Sequence, residues 1–418
     1  MKTTPHTDRH PHPGPGPQIR AQSPKARPPS PPAMDHSRWW RRKTRKRFLA
    51  PWRREAADLA ARGADPAELE RHLAGLRGKA AIYHCISRTV NRERVFGPAE
   101  KEQFSVFLRQ YEEFCQVRVL TWCMMGNHFH ILVEIPEAPE DRGGSWSDER
   151  FLGHISSLYS GHYYRAIAAE LKNLRKQGLD GDAEEFRNRF FARMWDLSRF
   201  MHDLKLRFAH WFNRDSGRDG HLWAEKFKSV LVESGHAARV VGAYIDLNPV
   251  RAGIVADPKD YRWSGYAEAA AGERRAREGL RMLLFEKTAA HLGDELGAKA
   301  ASAPWREVAA EYRKILYTDG EESPRDAAKG RAGIPKRKVE EVLAKGGRLS
   351  EAEMIRQRVR HFSDGLAIGG EGFVEGVFRL ARGYFGARRK TGARRIRQAE
   401  TPLRAMRDLG KKAIGPEK

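Results

Sequence analysis

From about residue 79 onward, apolar and polar positions fall into regular periods. "AAIYHCISR" (80–88) is rich in β-branched and aromatic residues and reads as a strand. Phe104, Phe107, Leu108, Tyr111 and Phe114 recur at three- and four-residue spacing, which predicts an amphipathic helix over 98–114. "VRVLTWCMM" and "HFHILVEI" are two further strands, joined at Gly126-Asn127, a pair that signals a tight hairpin turn. A charged helical stretch follows over about 148–192, then a helix over 197–214 and a fourth strand near 228–233. A short helix starts near Ala237 and ends at Asn248-Pro249, since a residue before proline avoids the α region.

The order strand, helix, strand, strand, helix, strand is the split βαβ arrangement of a ferredoxin-like fold. It predicts an α+β chain with a four-stranded antiparallel sheet, helices on one face and the other face open to a ligand. The core spans 79–268 and carries a helical insertion at about 138–195. Residues 1–36 hold ten prolines and few apolar residues and should be a disordered tail. Residues 37–78 form a basic, partly helical extension, 269–317 a helical extension and 318–337 a Gly/Lys-rich linker. The region 338–418 is basic and helical. There "SEAEMIRQRVRHF" and "EGFVEGVFRLARGYF" flank "SDGLAIGG", a spacing open to a DNA-binding helix-turn-helix or to plain helix packing.

Charge narrows the function. The 418-residue chain carries a formal net charge of +23. Residues 1–54 hold fourteen Lys or Arg against two Asp, and 379–418 hold thirteen against three acidic residues, so the stretch between is nearly neutral. Basic ends of this kind suit polyanion binding, or they are solvated tails that do nothing specific. In "RWWRRKTRKRF", Trp39 and Trp40 stand beside Arg41 and Arg42, a pattern able to stack on bases and pair phosphates or to serve as a plain surface arm. Neither end offers a basic helix with a large apolar face, and no apolar run is long enough to span a bilayer, so no membrane partner is expected. Three scattered cysteines, Cys85, Cys115 and Cys123, argue against a disulfide framework and for a reducing cytoplasm.

Two clusters carry chemistry. Alternate strand residues share a face, so His128 and His130 project together while Phe129, Ile131 and Val133 point into the core. Two imidazoles so placed can share a divalent ion, or they can be ordinary strand histidines held by water and carboxylates. In "YIDLNPVRAG", Tyr244 and Asn248 are four apart and lie on one helix face. They offer a phenol and a hard oxygen ligand, although such a pair is also a common helix-end packing feature.

Together these stretches resemble a known family. "WCMMGNHFHILVE" looks like the HUH motif of single-tyrosine, single-strand transposases, and "YIDLNPVRAGIV" followed by "YRWSGY" looks like their tyrosine helix. "IYHCISRTVNRERVF" resembles their first strand and "FNRDSGRDGHLWAEKFKS" their connecting segment. The branch most similar is the REP-associated tyrosine transposases, in which Asn stands four residues after the tyrosine. The resemblance covers roughly 79–268, in the family's order. It implies Tyr244 as nucleophile and a Mg²⁺ or Mn²⁺ ion held by His128, His130 and Asn248. It further implies single-stranded or hairpin DNA as substrate, palindromic repeats included, cut through a 5′-phosphotyrosine that leaves a free 3′-OH. Relatives act as monomers or homodimers, and the setting implied is the bacterial cytoplasm, at the nucleoid. Ligating histidines must be neutral, so activity should fall below their ordinary pKa of ~6.5. His84 and Arg88 on the first strand could face phosphate, Lys226 and Lys228 the DNA backbone. Glu134, on the same strand face as the histidines, reads as a solvent-facing carboxylate or as a residue that orients one of the ligands. The alternative is a domesticated descendant that binds repeated hairpins without cutting them.

Overall fold

The structure is a computed structural model that describes residues 50, 65, 67, 80–291, 303–317, 349–350, 362–363, 365–396 and 399–406. Contacts divide the chain into units Met1–Lys46 and Arg47–Lys418, and every described residue belongs to the second. The Pro-rich tail, the arm with Trp39, Trp40, Arg41 and Arg42, and the linker at 318–337 lie outside the described residues.

The chain is of mixed α+β class, with a mostly antiparallel sheet and many helices. Strand β1 (Ala81–Arg88) leads to helix α1 (Pro98–Phe114), then to the hairpin of β2 (Arg118–Met124) and β3 (His128–Ile135). The insertion folds as α2 (Asp148–Ile155), α3 (Gly161–Lys176) and α4 (Asp180–Phe191), followed by α5 (Leu197–Ser216) and β4 (Lys228–Val232). Helix α6 (His236–Asp246) passes through Leu247 into the single turn α7 (Asn248–Arg251). Then come α8 (Gly265–Ala271), α9 (Arg274–His291) and α10 (Trp305–Tyr317). The C-terminal region contributes β5 (Leu349–Ser350), β6 (Ala367–Gly369), α11 (Glu371–Leu380), β7 (Arg394–Arg395), β8 (Ala399–Glu400) and β9 (Arg404–Ala405). The main sheet has the order β2-β3-β1-β4-β6-β9-β7, and a separate pair joins β5 to β8.

Alternation along the strands builds two cores. Tyr83, Cys85, Phe129, Ile131 and Val133 face α1 and α5, where Phe104 meets Phe129 at 4.8 Å between ring centroids and Phe208 at 5.4 Å. The insertion docks on the same core through Trp146, Phe151, Ile155, Leu171 and Phe191. Ile82, Leu120, Leu132, Val230 and Val232 face the other way and pack against α6, α8, α9 and α10. The expectation of an open second face is therefore corrected. β3 is buried at every position, and the apolar residues Ile82, Leu132, Val230 and Val232 on the second face of the sheet need cover there.

Two local expectations change as well. The β2–β3 hairpin forms, but neither Gly126 nor Asn127 takes a positive φ, so the turn is not the mirror-image type suggested by Gly and Asn. In the C-terminal region the supposed helix-turn-helix turn is sheet. Ala367 and Ile368 in β6 pair in parallel with Leu231 and Val232 of β4, so these residues extend the core sheet and do not form a separate helical module. Most of the first helix of that motif falls outside the described residues.

One glycine holds α9 against β2. A Cβ on Gly279 would stand 2.5 Å from the carbonyl oxygen of Val119 and 2.8 Å from that of Leu120. Both are backbone atoms within the sheet and cannot give way. Gly279→Ala is expected to cost about 1–3 kcal/mol, as overpacking does, and to lower the melting temperature. An unchanged melting curve would contradict this packing.

Candidate active site

The site lies on the second sheet face, under α6. On β1 the residues Ile82, His84, Ile86 and Arg88 share that face. Register then fixes their neighbours: Ile86 lies between His130 and Lys228, and Arg88 opposite His128. Arg88 is thus brought beside the histidines and Lys228 lies one strand beyond Ile86, whereas Lys226 is exposed in the loop ahead of β4. His221 is exposed too, while Trp223 is structural: its Nε1 donates to the Lys205 carbonyl at 3.0 Å and its ring packs on Phe129. Glu134, expected in solvent, is only 2% exposed and sits 3.5 Å from Arg118.

Tyr244 comes to the histidines from α6. Its ring centroid is 6.1 Å from that of His130 and 6.3 Å from that of His84, edge-on to both. Phe362 stands 5.0 Å from it on another side, and the Arg251 guanidinium lies 3.8 Å from the ring centroid. Tyr244 is 3% exposed. One turn later, Asn248 donates Nδ2 to the carbonyls of Tyr244 and Ile245 at 3.2 and 3.1 Å, closing the open end of α6. Its Oδ1 accepts from Arg251 at 2.5 Å. Arg251 is a site residue that the pattern reading missed, although it stands three residues after Asn248, one helical turn on.

The imidazoles are held individually. His128 Nδ1 lies 2.6 Å from Asn127 Oδ1, and Asn127 Nδ2 donates to the Arg92 carbonyl at 2.9 Å. Asn127 therefore orients His128 more than it shapes the turn. His130 Nδ1 lies 2.8 Å from His84 Nε2. His84 is fully buried, so the expectation that it faces phosphate is corrected. Burial pushes the His84 imidazole down to about 4, against the opposing pull of its bond to the Phe362 carbonyl, and Arg251 lowers it further. Burial likewise drives His130 well below the ordinary imidazole value, helped by His84, His128, Arg88 and Arg251.

The residues fit a divalent ion in their donor types. Among the described residues no group of three or more His, Cys, Asp or Glu is arranged to hold a metal. The candidate set is instead two imidazoles and the Asn248 amide oxygen. Each imidazole uses Nδ1 in a hydrogen bond to protein, so Nε2 is the nitrogen that would ligate in both. Both rings lie on the site face, and burial keeps His130 neutral, as ligation requires.

Two residues beyond Tyr244, the buried Asp246 carboxyl anchors α6. It accepts from Thr121 Oγ1 at 2.9 Å, from the Tyr312 hydroxyl at 2.5 Å and from the Tyr266 backbone N–H at 3.3 Å. Burial outweighs these donors and pushes the carboxyl up to about 7 from an ordinary 3.8. A folded value above the unfolded one means that the group's contribution is most favourable at low pH and is lost as pH rises from about 4 through 7. Asp246→Asn is expected to remove that dependence in denaturant titrations between about pH 4 and 7. Parallel stability profiles for variant and parent would contradict it.

The site therefore sets a tyrosine, two imidazoles, a carboxamide and an arginine on one face of an α+β sheet. Residues 79–140, which include β1 and the two histidines, match the family model described as "Transposase IS200 like". The resemblance to single-tyrosine transposases is borne out over that segment, which ends well before Tyr244. No curated protein matches the chain. Among solved structures, it is similar to the "Structure of the REP associates tyrosine transposase bound to a REP hairpin". The TM-score is 0.29 and the identity 13%, over 46% of this chain and 80% of that one. Among the described residues no helix is long and apolar enough to cross a membrane.

Proposed function

We propose that the chain is a DNA strand-transfer enzyme of the single-tyrosine HUH type, acting on single-stranded or hairpin DNA. The observation that carries this is the meeting of His130 and Tyr244, far apart in sequence, at 6.1 Å, with Arg251 over the tyrosine ring. The strand order β2-β3-β1-β4, with α1 and α5 on one face, supports a ferredoxin-like core as its scaffold.

In this reading the Tyr244 oxygen attacks the scissile phosphorus. A Tyr–O–P bond forms, the P–O3′ bond breaks, the phenol loses its proton and the 3′-oxygen gains one. The 5′-phosphotyrosine keeps a phosphodiester, so another 3′-OH can reverse the step and release the tyrosine. Arg251 places a cation where charge gathers on the phosphate. Arg88 and Lys228 add positive charge along the strand face. His128, His130 and Asn248 would hold the Mg²⁺ or Mn²⁺ ion, which supplies Lewis-acid activation of the phosphate when bound. The test is incubation with labelled hairpin DNA and Mn²⁺, followed by denaturing electrophoresis. A covalent protein–DNA band is expected, and multiple-turnover cleavage without a band would contradict the mechanism.

The domesticated, non-cutting alternative draws on one observation: Tyr244 is 3% exposed, behind Phe362 and Arg251. A cleaving enzyme in this form has to shift that cover when DNA arrives. The basic arm at 1–54 is proposed to bind DNA backbone. Its deletion should weaken binding and flatten the salt dependence by roughly 0.7 to 0.9 in log-log slope per lost phosphate contact. A slope that does not change would exclude the arm from binding.

A further inference from the structure

The C-terminal region reaches the site through a chain of two hydrogen bonds. Phe362 is fully buried, and its carbonyl lies 2.6 Å from His84 Nδ1. His84 Nε2 in turn lies 2.8 Å from His130 Nδ1, with the two rings stacked at 5.1 Å between centroids. Strand β6, which follows Phe362 closely in the chain, is fastened to β4, and the Leu231 N–H donates to the Leu366 carbonyl at 3.0 Å. The acceptor at the head of this chain is thus tied to the sheet edge, 278 positions from His84 in sequence.

Chemistry sets the proton positions along it. A carbonyl oxygen only accepts, so His84 Nδ1 must carry the hydrogen. Both rings are buried, at 0% and 2% exposure, which disfavours charge on either. A neutral His84 then has a bare Nε2, which accepts, and His130 Nδ1 must be the donor. A neutral His130 with its hydrogen on Nδ1 has its lone pair on Nε2. We infer that His84 is a positioning residue: with the Phe362 carbonyl, it fixes His130 in the Nδ1–H tautomer that offers Nε2 as a ligand. The last clause rests on the metal reading given above, whereas the tautomer does not. The consequence is that the C-terminal region, which the family match does not reach, forms part of the site's wiring.

Two readouts on the full-length chain test this separately. The first is the tautomer of His130 in metal-free protein labelled with ¹⁵N-histidine, read from two-bond proton–nitrogen correlations and assigned by loss of the signals in His130→Ala. The parent is expected to show the Nδ1–H pattern. His84→Phe is expected to shift it toward Nε2–H. His84→Gln, whose amide can donate to the carbonyl and accept from His130, is expected to restore it. The second readout is Mn²⁺ affinity by titration calorimetry, expected to fall about 10- to 100-fold in His84→Phe and to recover in His84→Gln. An Nε2–H tautomer in the parent, or an unchanged Nδ1–H tautomer in folded His84→Phe, would overturn the relay. Mn²⁺ binding that survives His130→Ala would overturn the ligand assignment under the proposed function and leave the relay standing.

Discussion

Tyr244→Phe is expected to eliminate the covalent protein–DNA adduct completely while leaving the fold and hairpin binding intact. The substitution removes one oxygen and keeps the ring. Its packing against His84, His130 and Phe362, at centroid distances of 6.3, 6.1 and 5.0 Å, needs only that ring. The Arg251 contact at 3.8 Å is likewise made to the ring face. A melting temperature near the parent's, together with loss of the adduct, separates chemistry from stability. An adduct that persists in the variant would move the nucleophile to another residue. Tyr261 and Tyr312 are poor substitutes: burial raises both phenols, and their hydroxyls are committed to the Met124 carbonyl and to Asp246.

His130→Ala is expected to lower cleavage on the order of 100-fold or more, because removing even an outer-shell partner of a metal ligand costs about 10- to 100-fold. His128→Ala should act in the same direction. The His130 ring also fills space, being 2% exposed and packed on His84, His128 and Tyr244, so its removal should lower stability as well. Cleavage is therefore compared at a temperature where melting curves show both proteins folded. Hairpin affinity without metal should stay close to the parent's, since the imidazole is neutral and buried. Cleavage unchanged in both histidine variants would remove the ion from the mechanism.

Local pattern carried much of this structure. The helix over 98–114 has the bounds its apolar spacing predicts, and the strands fall within a residue or two of their expected ends. His128 with His130, and Tyr244 with Asn248, stand out because strand and helix periods put each pair on one face. What the sequence could not display is tertiary. The bond from His84 to Phe362 joins residues 278 positions apart and uses a backbone carbonyl, which has no side-chain signature. The cover over the second sheet face was partly legible, since Leu132 and Val133 on β3 are both apolar and point to opposite sides. A Gly-rich stretch such as "SDGLAIGG" suggested a turn, and only the free edge of β4 makes part of it a strand. By its pattern Asn127 is a turn residue, while in the structure its side chain orients His128.

The central claim is that Tyr244 forms the bond to DNA. Its most direct test is to trap the product on hairpin DNA with Mn²⁺, digest both protein and DNA, and sequence the modified peptide by mass spectrometry. The account predicts a nucleotide joined through its 5′-phosphate to Tyr244, formed only when a divalent ion is present. DNA bound tightly with no modified peptide, or a nucleotide on any other residue, would contradict it.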